Sequence, residues 1–305
     1  MDRGRGGLAT FFVGSSSKIW AKEPRLMGQT RLSGWLIGML GLMLLGRTAA
    51  AQAPAQFPAK VELISELSPP SSGRPTELWA AIVFHLDPGW HIYWKNPGDS
   101  GEPPRIQWSL PEGFQAGGIQ WPVPKRLGHG SIVDYGYEGE VKLLQEISGP
   151  LGQQGKTAQD IALVADVKYV VCREICIPAK AHLPVTVSAG TLPPRPEEWR
   201  KWHQSLTAPM PKSLKEPGHA SVEASGDHFI LTVRGIGKVE GATFFPWVSN
   251  VVENSASQNL AQAPGGFQLT LKKSELLVGR PEILNGVLAA DGGRAYEISA
   301  PIEWR

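Results

Sequence analysis

Cysteine is almost absent from this chain: only Cys172 and Cys176 occur among its 305 residues. Two cysteines alone cannot complete a tetrahedral zinc shell, and a Cys-x-x-Cys motif of the thioredoxin type is missing. The chain also lacks the HExxH, GxSxG, P-loop and dinucleotide-binding motifs. Metalloprotease, α/β-hydrolase, kinase and Rossmann-type functions therefore have no support in the sequence.

An excess of positive charge is also missing from most of the chain. The formal net charge is +2, but residues 1–51 hold seven basic and two acidic residues, which leaves 23 basic and 26 acidic residues elsewhere. No basic stripe is visible in the sequence. Nucleic acid is therefore not expected as a partner.

Long apolar runs are absent. The strongest apolar run is short and covers residues 35–45, WLIGMLGLMLL. Eleven residues are too few to cross a hydrocarbon core of about 30 Å as a helix. Arg31 precedes this run and three alanines at 49–51 follow it, a pattern typical of a secretory signal peptide. We expect residues 1–51 to be that signal, cleaved near Ala51, and the mature chain to be exported to an oxidising compartment, where a disulfide can persist. An uncleaved anchor is the alternative, and a translation start at Met27 is a further hypothesis.

Turn-forming residues are plentiful, with 35 glycines and 26 prolines, and they separate short apolar runs such as residues 77–86 and 161–171. Alternating apolar residues at 183–187, 229–233 and 267–271 are typical of half-buried strands. Trp199, Trp202 and Leu206 instead share one face of a helix. The sequence predicts an all-β fold of two sandwiches, residues 57–190 and 220–305, joined by a short helix and proline-rich linker at 191–219.

The spacing of the two cysteines requires a turn if they are to bond. Residues four apart in a strand are separated by about 13 Å, whereas bonded cysteines have Cα atoms roughly 4.4–6.8 Å apart. A tight hairpin or one helical turn would bring them together. Three functions remain open from spacing alone: a redox-active pair, a metal site, or a structural disulfide that contributes only about 2 kcal/mol because its loop is short.

Several motifs together resemble the N-terminal periplasmic region of the DsbD/ScsB family of thiol:disulfide interchange proteins. They are residues 88–101 (PGWHIYWKNPGDSG), 121–124 (WPVP), 134–141 (DYGYEGEV) and the cysteine segment ending at Pro178. These motifs lie within residues 77–190, and the second half is similar to the family's second sandwich more weakly, at 244–246 and 266–274. The three-residue spacer between the cysteines matches the ScsB-like branch.

The resemblance implies a periplasmic protein with two immunoglobulin-like sandwiches. It also implies that Cys172 and Cys176 are redox cysteines, with Cys176 the more exposed, attacking sulfur. It also implies a cap over the pair, for which Asp134 and Tyr135 are the matching residues, with Tyr135 as the shield. Electrons would come from a membrane-embedded thiol reductase and pass to periplasmic thiol-disulfide proteins. Because the sequence ends at Arg305 without a membrane domain, we expect the donor to be another chain.

We expect no cofactor and no metal. Copper binding through His85, His91 or His129 is an alternative, since imidazole suits that metal. The competing function is a non-catalytic β-sandwich interaction module whose disulfide only braces a loop.

Overall fold

The computed structural model describes residues 57–69, 76–129, 131–151, 159–188, 194–207, 210–214 and 219–305. All of them belong to one compact unit that extends from Pro54 to Arg305. The predicted signal peptide and the Met27 start lie outside the described residues, as do parts of the predicted linker. No helix among the residues just given is long and apolar enough to cross a membrane.

The first sandwich is built from ten strands. They are β1 (Ala59–Leu67), β2 (Leu78–Leu86), β3 (His91–Gly98), β4 (Arg105–Ser109), β5 (Gln115–Ala116), β6 (Lys125–His129), β7 (Ile132–Glu138), β8 (Glu140–Ser148), β9 (Ile161–Cys172) and β10 (Cys176–Val187). One sheet has the order β1-β2-β8-β5; the other has the order β10-β9-β3-β7-β6, with β4 also paired to β9.

The burial pattern of these strands explains why they form a sandwich. Strand β2 is central and apolar, and eight of its nine residues are buried. Strand β10 lies at an edge and exposes every second residue, while the residues between them pack on the core. This alternation is expected of a strand with one face in water.

The second sandwich follows the helix α1 (Pro196–Thr207). Its strands are β11 (Lys212–Ser213), β12 (Ala220–Ser225), β13 (His228–Arg234), β14 (Ala242–Pro246), β15 (Asn259–Ala263), β16 (Gly266–Lys272), β17 (Ile283–Ala290) and β18 (Arg294–Trp304). They join in the order β14-β17-β18-β12-β13-β16-β15, with β11 paired to β18. Phe229, Phe244 and Phe267 are fully buried in the core of this half. The predicted all-β class with two sandwich domains is confirmed.

The helix α1 packs its apolar face on the first sandwich. Leu206 is buried against Trp79 and Leu144, and Trp199 and Trp202 pack beside it. The periodicity of these side chains had predicted this helix, and the structure shows the surface of β2 and β8 that it covers.

The two sandwiches share part of one core. Phe245 of β14 makes edge-on contacts with Trp94 and Tyr135 of the first sandwich, with ring centroids 6.2 Å and 5.2 Å apart. Asn96 is buried and donates a hydrogen bond from Nδ2 to the Pro246 carbonyl at 2.8 Å. The β3 segment is thus held by both domains.

Candidate functional site

The two cysteines form a disulfide across a β-hairpin. Cys172 ends β9 and Cys176 begins β10, and the antiparallel register places them directly opposite each other. Their Cα atoms are 4.2 Å apart and their sulfurs 2.03 Å apart. Residues 173–175 make the turn, in which the Arg173 amide donates to the Ile175 carbonyl at 3.1 Å. Of the two turns that the spacing allowed, the structure has the hairpin.

The two members of the disulfide differ in their access to solvent. Cys172 is buried, with 2% of its surface exposed, because it lies beside the central strand β3, where it pairs with His91. Cys176 is exposed at the start of the edge strand β10. Ile175, next to it at the tip of the turn, is 65% exposed. An incoming protein can therefore reach the pair from the side of Cys176.

A buried tyrosine touches the exposed cysteine. The Tyr93 hydroxyl lies 3.5 Å from the Cys176 sulfur and 3.3 Å from the Ser100 hydroxyl. A disulfide sulfur has no proton, so only the tyrosine can donate in the first contact. Burial raises the pKa of Tyr93, and the nearby charge of Asp134 adds to this, while the Ser100 contact acts in the opposite direction. The hydroxyl thus remains a donor at neutral pH.

Asp134 holds the loop that carries Ser100. Its carboxylate accepts hydrogen bonds from the Ser100 amide and hydroxyl, both at 2.9 Å. Its Oδ2 atom also lies 3.9 Å from Nε2 of the buried His91. A continuous polar chain therefore extends from Cys176 through Tyr93 and Ser100 to Asp134.

The loop after β3 covers the Tyr93 ring. Gly101 has φ +70°, and a Cβ atom there would come within 2.1 Å of the ring. Gly98 has φ +87°, and a Cβ atom would come within 2.4 Å of the Val133 carbonyl. Only glycine fits such close approaches in this backbone conformation. These two glycines of the 88–101 motif thus let the loop close over the tyrosine.

The structure places the two predicted cap residues on opposite faces of β7. Asp134 faces the disulfide side, as described above. Tyr135 faces the core between Trp94 and Phe245, is fully buried, and donates from its hydroxyl to Asn254 at 2.9 Å. Burial raises the pKa of Tyr135 well above its ordinary value. Successive side chains of a strand point to opposite faces, which separates Asp134 from Tyr135. The aromatic residue that contacts the Cys176 sulfur in this structure is Tyr93 of β3.

Tyr93 and Ser100 were not selected from the sequence as site residues, although both lie in the 88–101 motif. A signal was available, because Ile92 and Trp94 are apolar core residues, and alternation sends Tyr93 to the other face. Arg173 also contacts this motif, with its guanidinium 5.2 Å from the Trp90 ring centroid. The contact fixes the turn of the hairpin to the β2–β3 connection.

Two of the histidines considered for copper, His85 and His91, lie in different sheets. His85 lies in the β1-β2-β8-β5 sheet with Glu62 and Glu140, while His91 lies in the opposite sheet near Asp134. The side chain of His129 is outside the described set. Within the described ranges, no group of three or more histidine, cysteine or acidic side chains could hold a metal ion.

Comparison with known proteins gives a family match over part of the chain and a similar fold. Residues 60–187 match the family described as "Thiol:disulfide interchange protein DsbD, N-terminal". No curated protein sequence matches the chain. Among solved structures, the chain is similar to the N-terminal periplasmic domain of ScsB from Proteus mirabilis, with a TM-score of 0.56 and 17% identity over 79% of this chain and 93% of that one. The periplasmic chaperone SfaE aligns at 12% identity over 81% of this chain and 100% of that one, with a TM-score of 0.20.

Proposed function

We propose that this chain exchanges electrons with other proteins through Cys172 and Cys176. The proposal is supported by the match of residues 60–187 to the DsbD N-terminal family and by the fold that the chain shares with a ScsB domain. The observation that carries the proposal is the asymmetry of the disulfide. An exposed Cys176 is bonded to a buried Cys172 at the tip of a hairpin. One sulfur can be approached by a partner, and the other is kept beside it.

The exchange follows from this geometry. In the reduced form, the Cys176 thiolate attacks one sulfur of a partner's disulfide and forms a mixed disulfide, which releases the partner's other sulfur as a thiolate. Cys172 then loses its proton and attacks the Cys176 sulfur, and the partner's second thiolate leaves. The partner gains two electrons and, after taking up protons, two thiols, while Cys172 and Cys176 return to the disulfide seen here.

Tyr93 is suited to assist the attacking sulfur. Its hydroxyl is a protonated donor within 3.5 Å of Cys176. A hydrogen bond to a charged group favours the charged form, so the tyrosine would stabilise the Cys176 thiolate. Ser100 donates its own proton to Asp134, so its oxygen at 3.3 Å and the sulfur at 3.5 Å share the single proton of the tyrosine hydroxyl.

The partners and compartment are part of the proposal. We place the chain in the periplasm after removal of residues 1–51, with a membrane-embedded thiol reductase on another chain as electron donor. Periplasmic thiol-disulfide proteins would be the acceptors. The structural match to the N-terminal periplasmic domain of ScsB covers 79% of this chain, which is more than the first sandwich alone, so the match includes both sandwiches. This similarity supports the periplasmic placement.

The reduction potential tests the proposal directly. The protein is equilibrated in glutathione buffers, and the fraction of reduced pair is measured by thiol labelling. A potential above about −300 mV supports exchange, whereas a lower value indicates an inert structural bond. A low value would favour the competing interaction module.

Trapping identifies the partners. In a Cys172→Ser variant, the second attack is impossible, so mixed disulfides on Cys176 accumulate and can be identified by mass spectrometry. The Cys176→Ser variant is the matched control, because its remaining sulfur is buried. Equal trapping by both variants would contradict the assignment of Cys176 as the attacking sulfur.

A further inference from the structure

We propose that a row of three cations beside the disulfide binds an acidic, extended segment of the partner protein. This inference rests on the proposed function and names the kind of partner that the site accepts. The row consists of Arg105, Lys168 and Lys180. They belong to three adjacent strands, β4, β9 and β10.

The strand register places the three cations side by side. Lys168 pairs with Arg105 on one side and with Lys180 on the other. Directly opposed residues of antiparallel strands share a face, with Cβ atoms roughly 4.5–5.5 Å apart. Three positive charges therefore stand in a line across one face of the sheet.

Such a line opposes folding instead of supporting it. Like charges directly opposite each other in a sheet are destabilising. Arg105 is paired with the exposed Glu102 at 3.4 Å. Lys168 and Lys180 form no ion pair with any residue that the structure describes. Two cations of the row are thus left to attract charge from outside the chain.

The row lies on the same face as the disulfide. Lys168 is four residues before Cys172, and Lys180 is four residues after Cys176, so strand alternation places all four side chains on the same face of the sheet. The separation along the strands is about 13 Å. Between the cations and the sulfurs lies the pair formed by Val170 and Pro178.

A groove of about 530 Å³ occupies this part of the sheet. The cations line it together with Glu102, Tyr169 and Pro178. Beyond the row, the next outward pair is His182 and Asp166, whose side chains contact each other at 2.7 Å and so offer no second unpaired cation. The charge of the groove is therefore concentrated in one place, at a fixed distance from the sulfurs.

Charge complementarity and length together specify the occupant. An extended peptide whose cysteine reacts with Cys176 spans about 13 Å in four residues. A carboxylate side chain four residues from that cysteine can therefore reach Lys168 and Lys180. The preferred partner carries its cysteine in an exposed extended segment with acidic residues at this distance.

Two synthetic peptides test the inference. Each carries one cysteine blocked as a mixed disulfide with 2-mercaptoethanol; one has glutamates three to five residues away, and the other has glutamines there. The reduced protein would convert each peptide disulfide to two thiols while oxidising its own pair. We expect the wild-type rate for the acidic peptide to exceed that for the neutral one by about tenfold at low salt, and the difference to shrink at high salt.

Matched variants assign this preference to the row. In a Lys168→Gln, Lys180→Gln double variant, the two peptides should react at similar rates. A Lys201→Gln, Lys238→Gln variant removes two exposed lysines on α1 and in the second sandwich, and it should keep the preference. All three proteins are also assayed with the uncharged 2-hydroxyethyl disulfide, for which we expect equal rates.

The outcomes separate the two proposals. If the wild type reduces the uncharged disulfide but treats both peptides alike, the cationic row is not a binding site, although exchange itself stands. The same conclusion follows if both double variants lose the preference equally. If the wild type reduces none of the three substrates, the exchange function fails, and this inference fails with it.

Discussion

Removing the Tyr93 hydroxyl should weaken the exposed cysteine as a nucleophile. The contact joins the hydroxyl to the Cys176 sulfur at 3.5 Å, and the same hydroxyl lies 3.3 Å from Ser100. Hydrogen bonds to charged groups contribute roughly 1.5–3 kcal/mol, and we take the lower value because the proton is shared. Since 1.36 kcal/mol corresponds to one pKa unit, Tyr93→Phe should raise the pKa of the Cys176 thiol by about one unit.

The rate effect is smaller than the change in thiolate fraction. A rise of one unit lowers the thiolate fraction at neutral pH by about tenfold when the thiol pKa lies above 7. The remaining thiolate is more basic and, with a Brønsted coefficient of about 0.4–0.5, roughly threefold more nucleophilic. We therefore expect alkylation and exchange at pH 7 to slow by about three- to fourfold.

The assay is the pH dependence of iodoacetamide alkylation of the reduced protein, with Cys176 identified by peptide mass. Tyr137→Phe is the control, because that hydroxyl is also buried but donates to the Pro122 carbonyl in the core. The control should lose stability and keep the thiol pKa. If Tyr93→Phe leaves the alkylation profile unchanged while the protein stays folded, the tyrosine does not stabilise the thiolate, and this reasoning is refuted.

Three further predictions concern stability. Gly101→Ala should destabilise the fold by more than about 2 kcal/mol, because the new methyl group meets the Tyr93 ring. The control Gly139→Ala has the same φ of +70° but open space around it, and it should lose only about 1 kcal/mol. Equal shifts of the two variants in the urea midpoint would contradict the close approach. Asn96→Ala should lower the free energy of unfolding in urea by roughly 1–3 kcal/mol, because it leaves the Pro246 carbonyl of β14 without this donor. An unchanged free energy would exclude Asn96 as a link between the sandwiches. Burial lowers the pKa of His203, so the unfolded state binds this proton more readily than the folded state does. The free energy of unfolding should therefore fall as the pH drops through about 6.5 and below. His203→Leu should flatten this part of the pH–stability curve, and an unchanged curve would refute the assignment.

Much of the fold could be predicted because its signals are local. The alternation in β13 and β16, and the spacing of Trp199, Trp202 and Leu206, depend on the period of a strand or a helix. The structure extended these elements and added others that the sequence did not indicate. One is β1, whose residues are mostly half-buried; another is β7, which contains the motif expected to form a cap.

The sequence predicted which segments form the candidate site but not which side chains meet there, and the difference has a physical cause. The cysteine spacing required a turn, and the motif around residues 88–101 marked the region that meets it. Neither could show which side chain of that region touches the sulfur. That depends on the register of β3 against β7 and β9, which pairs Tyr93 with Gly136 and His91 with Cys172.

The sequence alone determined the all-β class, the helix between the sandwiches and the need for a turn between Cys172 and Cys176, because each depends on residues that are close along the chain. Only the tertiary structure decided which cysteine is exposed and that Tyr93 contacts the Cys176 sulfur. It also decided that Arg105, Lys168 and Lys180 lie side by side on neighbouring strands. These features join residues up to 83 positions apart. Strand pairing brings such residues together, and a shift of one residue in register would reverse the faces that carry them.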